Sequence, residues 1–485
     1  MSPAPGWELV VGLEVHVQLA TETKIFCGCR NRFGDPPNTN VCPVCLGLPG
    51  ALPVMNDRAP DLALRVALAL GCEVPDLSVF ARKNYFYPDL PKGYQISQFD
   101  RPFALGGRVP IEVDGTASDV PLVRIHLEED AGKSLHDETS RTADTRIDAN
   151  RCGTPLIEIV SEPAIRRAVE AGAYLESLRR LVRWLGVSDG DMSQGSLRCD
   201  ANVSVRRAGE STLGTKTEVK NLNSIKMVVQ AIDVEARRQV AVLERGEAIT
   251  QCTLLWDERT GNVRPMRTKE DAHDYRYFPE PDLPPLRMTA ERRDRVRRDM
   301  PELPIARRER FREAFDLRSV DAAVLTESRD VADWYEDLAT QTGDPKLAAN
   351  WVLGEVLRLR NERGGSLAEL GLAPATLAEL LGFVREGKIS QSVAKKVFQS
   401  VVDTGERASA IVAREGLVQI SDPAALDRLV DDVLAAAPEQ VEQFRAGNEK
   451  VAGFLVGQVM KASGGQANPK LARERLLTRL AELAG

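Results

Sequence analysis

The stretch VVGLEVHVQL at residues 10–19 alternates apolar and polar positions. A period of two is typical of a β-strand with one buried face. The apolar positions are Leu13, Val15, Val17 and Leu19, and the polar positions are Glu14, His16 and Gln18. The polar face could meet plain water, which is the common case, or it could form the floor of an active site.

The same alternation recurs in PLVRIHLEED at residues 121–130, SLRCDANVSVRR at 196–207 and GTKTEVKNLNS at 214–224. A polar face that only meets water usually has a loose mixture of Ser, Thr, Lys and Glu. These faces instead consist largely of residues that can bind metals or phosphates. Their polar positions include Arg124, His126, Glu128, Arg198, Asp200, Asn202, Lys216, Glu218 and Lys220. Up to about Leu286, short strand-like runs are separated by Gly, Pro, Asn and Asp, which predicts an antiparallel-rich α+β domain.

The clearest helix within this strand-rich part is predicted over residues 163–186, from Pro163 to Gly186. After about Leu286 helical periodicity dominates, and residues 290–400 carry Arg/Glu pairs with many Leu and Ala. A further helical block begins at Ser421-Asp422-Pro423, and the end of the chain is predicted as a helix, a Gly-Gly loop and a final helix. We predict domains at 1–292, 293–405 and 406–485, the last two all-α.

Composition narrows the class of protein. The 485 residues suffice for roughly three domains, and the net charge of −7 argues against coating nucleic acid by bulk charge. No apolar run approaches the roughly 18 residues of a membrane span, and we find no secretory signal. We therefore expect a cytoplasmic protein, in which clustered cysteines more often bind metal than form disulfides.

Glu158 lies in the apolar stretch TPLIEIVSEP, so both faces of that predicted strand are apolar. An ionised carboxylate in such a place must be paired, hydrogen-bonded or bound to a metal. It could be a buried glutamate paired with an arginine, or a metal-binding or catalytic carboxylate. The acids and the imidazole that could bind a divalent metal are Glu14, His16, Glu128, Glu129, Glu158 and Glu218.

The possible phosphate contacts are Lys83, Arg124, Arg198, Lys216 and Lys220. Carboxylates together with one imidazole are suitable ligands for Mg²⁺ or Mn²⁺. Phosphoryl transfer requires such a metal ion together with basic side chains that compensate the charge of the phosphates. No Walker loop is present, because AGKS at 131–134 would need a glycine where Leu127 stands. ATP would therefore bind on a sheet face and not in a glycine-rich loop.

The cysteines give the most specific local pattern. Cys27, Cys29, Cys42 and Cys45 form a C-x-C-x12-C-x-x-C array in a turn-rich loop at 27–45. Two close pairs of thiolates predict a closed, structural Zn²⁺ site, with unpaired surface thiols as the alternative. The other cysteines lack such spacing and are predicted to be core residues.

Several long motifs resemble one known family. GLEVHVQL, RKNYFYPDLPKGYQISQFD, HLEEDAGKS, GTPLIEIVSEP, GSLRCDANVSVR, KTEVKNLNS, DYRYFPEPDLPPL and GFLVGQVMKASGGQANPKL are similar to the B subunits of bacterial tRNA-dependent amidotransferases, the GatB family. The resemblance runs from about residue 8 to about residue 475. The related archaeal GatE proteins carry an inserted domain that this chain lacks.

The resemblance implies a cradle domain of the glutamine synthetase and guanido kinase type, followed by a helical domain and a small helical tail. It implies that ATP phosphorylates the side-chain carboxylate of Glu or Asp misacylated onto tRNA(Gln) or tRNA(Asn), and that ammonia then forms the amide. The implied Mg²⁺ and catalytic residues are Glu14, His16, Glu129, Glu158 and Glu218, with Glu129 favoured over Glu128 by the family alone. The residues predicted to contact ATP are Lys83, Arg198, Asn202 and Lys216.

The chain has no residues suited to releasing ammonia from glutamine. That reaction needs an N-terminal Cys, a Cys-His pair or a Ser-rich amidase loop, and none is present. A partner must supply the ammonia. The resemblance identifies this partner as an amidase, the A subunit of a heterotrimer that also contains a small C subunit.

Binding of tRNA is predicted at lysines with few compensating acids nearby, namely Lys395, Lys396, Lys461 and Lys470. The arginine-rich stretches at 291–300 and 306–313 could equally be solvated helix faces. A second hypothesis, a non-catalytic tRNA-binding scaffold, would fit the helical half alone. Glu158 argues against it, because a scaffold gains nothing from burying an acid.

Overall fold

The computed structural model describes residues 4–136, 145–266, 275–418, 422–464 and 467–484. The chain divides into two compact units, Met1–Leu303 and Pro304–Gly485. The first unit combines a mixed sheet with helices, and the second is helical, so the predicted α+β class is confirmed. The predicted division into three domains remains a prediction.

The first unit contains most of its strands in one sheet. The strands are β1 (Trp7–Gln18), β2 (Leu77–Ser78), β3 (Phe80–Asn84), β4 (Tyr94–Gln98), β5 (Ala104–Leu105), β6 (Arg108–Val113), β7 (Thr116–Glu129), β8 (Lys133–His136), β9 (Thr145–Asp148), β10 (Pro155–Ser161), β11 (Leu197–Arg207), β12 (Thr217–Leu222), β13 (Thr253–Asp257), β14 (Asn262–Pro265), β15 (Phe278–Pro279) and β16 (Leu286–Arg287).

The main sheet has the strand order β14-β13-β12-β11-β1-β10-β7-β5, with β6 also paired to β7. Adjacent strands of this sheet are antiparallel, except for β12 and β13, which run parallel to each other. The predicted antiparallel sheet is therefore a mixed one. A parallel neighbour needs a crossover, and the helix at Ile225–Glu244 lies between these two strands in the sequence.

One face of this sheet forms the core of the first unit. Val11, Leu13, Val15 and Val17 of β1 are completely buried, as the alternation predicts. Burying an aliphatic side chain of this size contributes roughly 1.5–3 kcal/mol. Helices at Ala168–Trp184 and Ile225–Glu244 pack over the apolar side, which leaves the polar side chains of the strands on the other face.

The helix predicted over 163–186 begins at Ala168 and not at Pro163. A side-chain oxygen of Glu170 accepts hydrogen bonds from the backbone N–H groups of Arg166 and Arg167, which caps the helix at this later point. The helix ends at Trp184, and Gly186 follows with φ +64°, a conformation that favours glycine.

The α-helices of both units have the following bounds: α1 (Arg58–Ala69), α2 (Ala168–Trp184), α3 (Ile225–Glu244), α4 (Ala290–Arg298), α5 (Pro304–Ala314), α6 (Ser319–Leu325), α7 (Arg329–Thr342), α8 (Pro345–Trp351), α9 (Leu357–Arg363), α10 (Pro374–Arg385), α11 (Gln391–Thr404), α12 (Ala408–Arg414), α13 (Pro423–Ala436), α14 (Pro438–Arg445), α15 (Val451–Ala462) and α16 (Pro469–Ala484). A π-helical turn at Val352–Val356 joins α8 to α9. Among the described residues, the helices are too short or too polar to cross a membrane.

The last four helices share an apolar cluster that includes Leu426, Val430, Leu455, Val459 and Leu476. The predicted start signal is confirmed for Asp422, which caps α13 by accepting a hydrogen bond from the N–H of Ala425. Ser421 lies outside the described residues. The predicted single block is divided at Pro438, which begins α14.

Candidate active site on the polar face of the sheet

The register of three strands sets the centre of the polar face. His16 on β1 lies opposite Glu158 on β10, and Glu158 lies opposite His126 on β7. Residues directly opposite one another in antiparallel strands project from the same face. Three residues that are distant in the sequence thus form one row across the sheet.

Glu128, two residues after His126 on β7, completes a cluster with this row. Nε2 of His16 lies 3.5 Å from Oε1 of Glu128, and Nδ1 of His126 lies 3.3 Å from Oε2 of Glu158. One ligand atom from each of His16, Glu128 and Glu158 falls within 4.8 Å of the others. We call these three residues the carboxylate–imidazole cluster.

Burial and charge act differently on the members of the cluster. Burial and the neighbouring Glu158 carboxylate raise the pKa of Glu128. Burial alone would also raise the pKa of Glu158, but its contact with His126 and the proximity of His16 lower it. Burial lowers the pKa of His16, which favours the neutral imidazole that binds metals.

Glu129 does not belong to this cluster, and the choice of Glu129 that the resemblance suggests remains a prediction. Successive side chains of a strand point to opposite faces, so Glu129 projects away from Glu128. Its carboxylate is buried, accepts a hydrogen bond from the N–H of Ile96 at 2.8 Å and pairs with Lys92. Glu128 instead accepts a hydrogen bond from the hydroxyl of Ser97 at 2.7 Å.

Glu14 and Glu218 lie on the same face but outside the three-residue cluster. Glu14 accepts a hydrogen bond from Nδ2 of Asn202 at 2.9 Å, and burial together with Glu158 and Glu218 raises the pKa of Glu14. Glu218 lies 2.9 Å from Nζ of Lys220 and accepts a hydrogen bond from the hydroxyl of Thr253. These two acids flank the cluster.

Basic groups also line this face. Arg198 donates to Asp130 at 3.0 Å, and Asp130 raises the pKa of Arg198 although burial opposes the shift. Lys83 is half-buried, and the charges of Glu128 and Glu158 raise its pKa against the effect of burial. Lys216 immediately precedes β12 and is exposed. The face therefore combines acids that suit a metal with cations that suit phosphate.

Glu158 has a different partner from the arginine that the sequence allowed. Within the described residues its ion-pair partner is His126, and its side chain is 15% exposed. The remaining ring nitrogen of His126, Nε2, is buried and has no hydrogen-bond partner in the described part of the chain. A buried nitrogen without a partner needs an explanation, and a ligand bound at this cluster would provide one.

The four cysteines of the 27–45 loop meet as their spacing predicts. Their sulfur atoms all lie within 4.8 Å of one another, and those of Cys42 and Cys45 are 3.9 Å apart. Sulfurs bound to one tetrahedral Zn²⁺ at ~2.3 Å would be separated by about 3.8 Å. The donor set thus fits zinc, and the hydrogen bond with Cys27 lowers the pKa of Cys45, which favours a thiolate.

Lys24 supports this cysteine group and was missed by the sequence reasoning. Its side chain is fully buried; Nζ donates to the carbonyl of Asn40 at 2.6 Å and lies 3.6 Å from Sγ of Cys45. A buried ammonium requires a negative partner, and a thiolate provides one. In the sequence, Lys24 stands three positions before Cys27, and this spacing alone predicts no contact with the cysteines.

The predicted tRNA lysines all lie at the surface of the second unit. Lys395 on α11 lies 2.8 Å from Glu355, so part of its charge is compensated. Lys396, Lys461 and Lys470 are exposed, and no ion pair of theirs occurs within the described residues. Their role in binding RNA remains a prediction.

Comparisons with known proteins agree with the geometry. The sequence profile of the GatB/GatE catalytic domain matches residues 9–294, and that of the GatB domain matches residues 333–480. The B subunit of the aspartyl/glutamyl-tRNA(Asn/Gln) amidotransferase of Chlorobium phaeobacteroides is 53% identical over 474 residues, which are 98% of this chain and 99% of the relative. The B subunits of the same enzyme from Prosthecochloris aestuarii and Moorella thermoacetica are each 52% identical, over 98% of this chain and 98% and 100% of theirs.

Identity at this level over nearly the whole length of both chains is far above what unrelated proteins share. Both profiles belong to the same family, and together they cover the sheet unit and most of the helical unit. The chain therefore belongs to the GatB family of amidotransferase B subunits.

Proposed function

We propose that this chain uses ATP to phosphorylate the side-chain carboxylate of Glu-tRNA(Gln), Asp-tRNA(Asn) or both, and then forms the amide with ammonia from a partner. The observation that carries the proposal is the carboxylate–imidazole cluster of His16, Glu128 and Glu158, set among basic side chains. Phosphoryl transfer needs positioning and charge compensation more than covalent chemistry from the protein.

The cluster would hold Mg²⁺ through His16, Glu128 and Glu158, and Glu14 and Glu218 on the same sheet face would add negative charge beside it. A bound divalent cation supplies charge compensation for the transferring phosphoryl group. His126 positions Glu158 through the 3.3 Å contact with its carboxylate. Ser97 does the same for Glu128.

The basic residues of the same face would bind the phosphates of ATP. We assign Lys83, Arg198 and Lys216 to phosphate contacts and Asn202 to orienting Glu14 beside them. Arg198 is held by Asp130, which fixes the direction of its guanidinium group. The charge of these groups would stabilise the acyl phosphate before ammonia attacks its carbonyl carbon and phosphate leaves.

Ammonia would come from a partner, because the chain has no nucleophile suited to glutamine hydrolysis. We propose that an amidase generates it, as the A subunit of a heterotrimer that also contains a small C subunit. Free ammonia is mostly protonated at pH 7, so the path between the two sites must be protected from solvent. An aminoacyl-tRNA substrate also implies that the complex acts in the cytoplasm.

The architecture would be a cradle of the glutamine synthetase and guanido kinase type at 1–292, followed by a helical domain at 293–405 and a tRNA-binding tail at 406–485. The mixed sheet, with helices on its apolar face and polar side chains on the other, supports the cradle. The separate apolar cluster of α13 to α16 supports the tail. We further propose structural Zn²⁺ at Cys27, Cys29, Cys42 and Cys45.

The decisive experiment measures ATP hydrolysis by the assembled complex with and without Glu-tRNA(Gln) or Asp-tRNA(Asn). The proposal expects stimulation by at least one of the misacylated tRNAs and formation of the corresponding amide when glutamine is present. A non-catalytic tRNA-binding scaffold would bind the tRNA without this stimulation. The tRNA that stimulates hydrolysis identifies the substrate that the complex accepts.

A further inference from the structure

Aromatic side chains are unevenly distributed in this chain. Aromatic residues make up only 5% of the sequence, with seven tyrosines in total. Five of those tyrosines lie at positions 85, 87, 94, 275 and 277. The fold brings both segments together, since β15 at Phe278–Pro279 pairs with β3 at Phe80–Asn84.

Five rings form one continuous series that we call the aromatic cluster: Tyr87, Tyr85, Tyr275, Tyr277 and Phe99. Tyr85 contacts Tyr87 at 5.9 Å between ring centroids and Tyr275 at 6.1 Å, and Tyr275 contacts Tyr277 at 6.0 Å. Tyr277 and Phe99 are stacked at 4.3 Å with planes only 7° apart. The two ends are open to solvent, since Tyr87 is 42% and Phe99 is 55% exposed.

A cation lies over the middle of the series. Nζ of Lys83 is 4.9 Å from the ring centroid of Tyr275 and 5.9 Å from that of Tyr85. The two rings that Lys83 contacts are half-buried, and the exposed rings lie at the two ends of the series. Aromatic rings that are open to solvent can bind unpaired nucleotides, because they stack on the bases.

The aromatic cluster borders the carboxylate–imidazole cluster. Phe99 is two residues from Ser97, whose hydroxyl donates to Glu128. Two residues of extended chain span at most roughly 7 Å. The charges of Glu128 and Glu158 also act on the hydroxyl of Tyr277. Phe99, at one end of the series, is therefore about one nucleotide away from Glu128.

We propose that the aromatic cluster binds the unpaired bases at the 3′ end of the aminoacyl-tRNA, with the terminal base stacked on Phe99. This inference rests on the proposed function, which requires the aminoacyl group to reach the carboxylate–imidazole cluster. The amino acid is esterified to the terminal ribose, so its side-chain carboxylate can reach the acids only if the terminal base binds close to them.

The adenine of ATP is the competing occupant. Small-molecule sites are concave and enclose most of the ligand, whereas Tyr87 and Phe99 are open to solvent. The series of rings is also longer than one base and suits several successive unpaired bases. Both features favour the RNA end over a single mononucleotide.

The test uses the complex assembled with its glutaminase partner and an uncharged tRNA whose terminal adenine is replaced by 2-aminopurine. Stacking on an aromatic ring quenches the fluorescence of this base. Phe99→Leu keeps an apolar side chain against Tyr277 but removes the aromatic ring, and Phe99→Tyr keeps the ring. Phe33→Leu is the matched control, since Phe33 is 67% exposed and lies outside the aromatic cluster.

We expect quenching in the wild type, Phe99→Tyr and Phe33→Leu, and its loss in Phe99→Leu. The apparent KM for aminoacyl-tRNA should rise roughly 5- to 150-fold in Phe99→Leu, the effect of losing one stacked base, while the KM for ATP changes less than about twofold. If Phe99→Leu fails to fold, Tyr87→Leu at the other exposed end should raise the KM for aminoacyl-tRNA in the same way.

Unchanged quenching and KM in Phe99→Leu would overturn the inference. A rise in the KM for ATP with unchanged quenching would also overturn it and assign the rings to the adenine of ATP. The fluorescence experiment contains no ATP and no amino acid, so it reports base stacking even if the wild-type complex shows no tRNA-stimulated kinase reaction. Failure of the proposed function is thus distinguished from failure of this inference.

Discussion

Nε2 of His16 on β1 lies 3.5 Å from Oε1 of Glu128 on β7, across the intervening strand β10. The contact joins β1, the first strand of the sequence, to the acidic end of β7, which follows about a hundred residues later. Glu158 on the intervening β10 lies within reach of both. The proposed chemistry depends on this arrangement.

Replacing Glu158 by Gln should lower the tRNA-stimulated ATPase and amide formation by roughly 10²- to 10³-fold. The change removes a charged ligand while keeping the shape, so charge compensation at the transferring phosphoryl group is lost. Steady-state ATPase and amidation assays of the complex measure the effect. Glu8→Gln is a suitable control, because Glu8 lies at the far end of β1 and pairs with Arg206. An amidation rate near that of wild type in Glu158→Gln would locate the site elsewhere.

Neighbouring Glu128 and Glu129 should respond differently to the same substitution. Glu128→Gln should weaken Mn²⁺ binding, measured by electron paramagnetic resonance, by at least about tenfold. Glu129→Gln should leave that affinity within about twofold but lower Tm, because it breaks the buried pair with Lys92 and leaves the ammonium without a charge partner. The reverse pattern would support Glu129, the assignment suggested by the family resemblance.

Purified protein should contain about one Zn²⁺ per chain, measured by elemental analysis. Cys42→Ser with Cys45→Ser should abolish the zinc and lower Tm, whereas Cys252→Ser, outside the group, should keep both. Lys24→Met should weaken zinc retention against a chelator, because the thiolates lose the ammonium 3.6 Å from Cys45. If elemental analysis finds no zinc in the purified wild-type protein, the proposed zinc site is wrong.

Replacing Lys461 and Lys470 together by Ala should raise the KM for aminoacyl-tRNA and leave the ATPase without tRNA unchanged. Two lost phosphate contacts should flatten the slope of log K against log salt concentration by about 1.5. Lys346→Ala is the control, since Lys346 already pairs with Asp316 on the surface. A double variant with the normal salt slope would exclude these lysines from the RNA contact.

Glu336→Gln should reduce the stability of the second unit in a pH-dependent way. Hydrogen bonds from Arg310 and Arg307, at 2.6 and 2.7 Å, lower the pKa of Glu336 in the folded state. The stabilisation is therefore present above the unfolded pKa of about 4.3 and is lost as the pH falls through the lower folded value. Because the group is partly exposed, we expect about 1 kcal/mol or less at pH 7.

Chemical denaturation of the wild type and Glu336→Gln at pH 7 and pH 3 checks this expectation. The difference should be larger at pH 7 and shrink at pH 3. Glu313→Gln, on the exposed side of α5, should show little effect at either pH. A constant difference at both values would mean that the loss comes from packing and not from charge.

Local patterns determined much of this protein. Strict alternation predicted the strand of residues 10–19 with its buried and polar faces, and the cysteine spacing predicted the four-sulfur group that the fold assembles. Asp422 and Pro423 predicted the start of α13. These features depend on backbone periodicity, on capping within a few residues or on short loops, so neighbours in the sequence suffice to specify them.

Only the tertiary structure decided which acids meet. Alternation put Glu128 and Glu129 on opposite faces, but the pairing of β10 with both β1 and β7 was needed to put Glu128 beside His16. Register between strands distant in the chain depends on the packing of the whole sheet, which no local pattern encodes. For the same reason, the roles of His126 and Lys24 became visible only when Glu158 and Cys45 lay beside them.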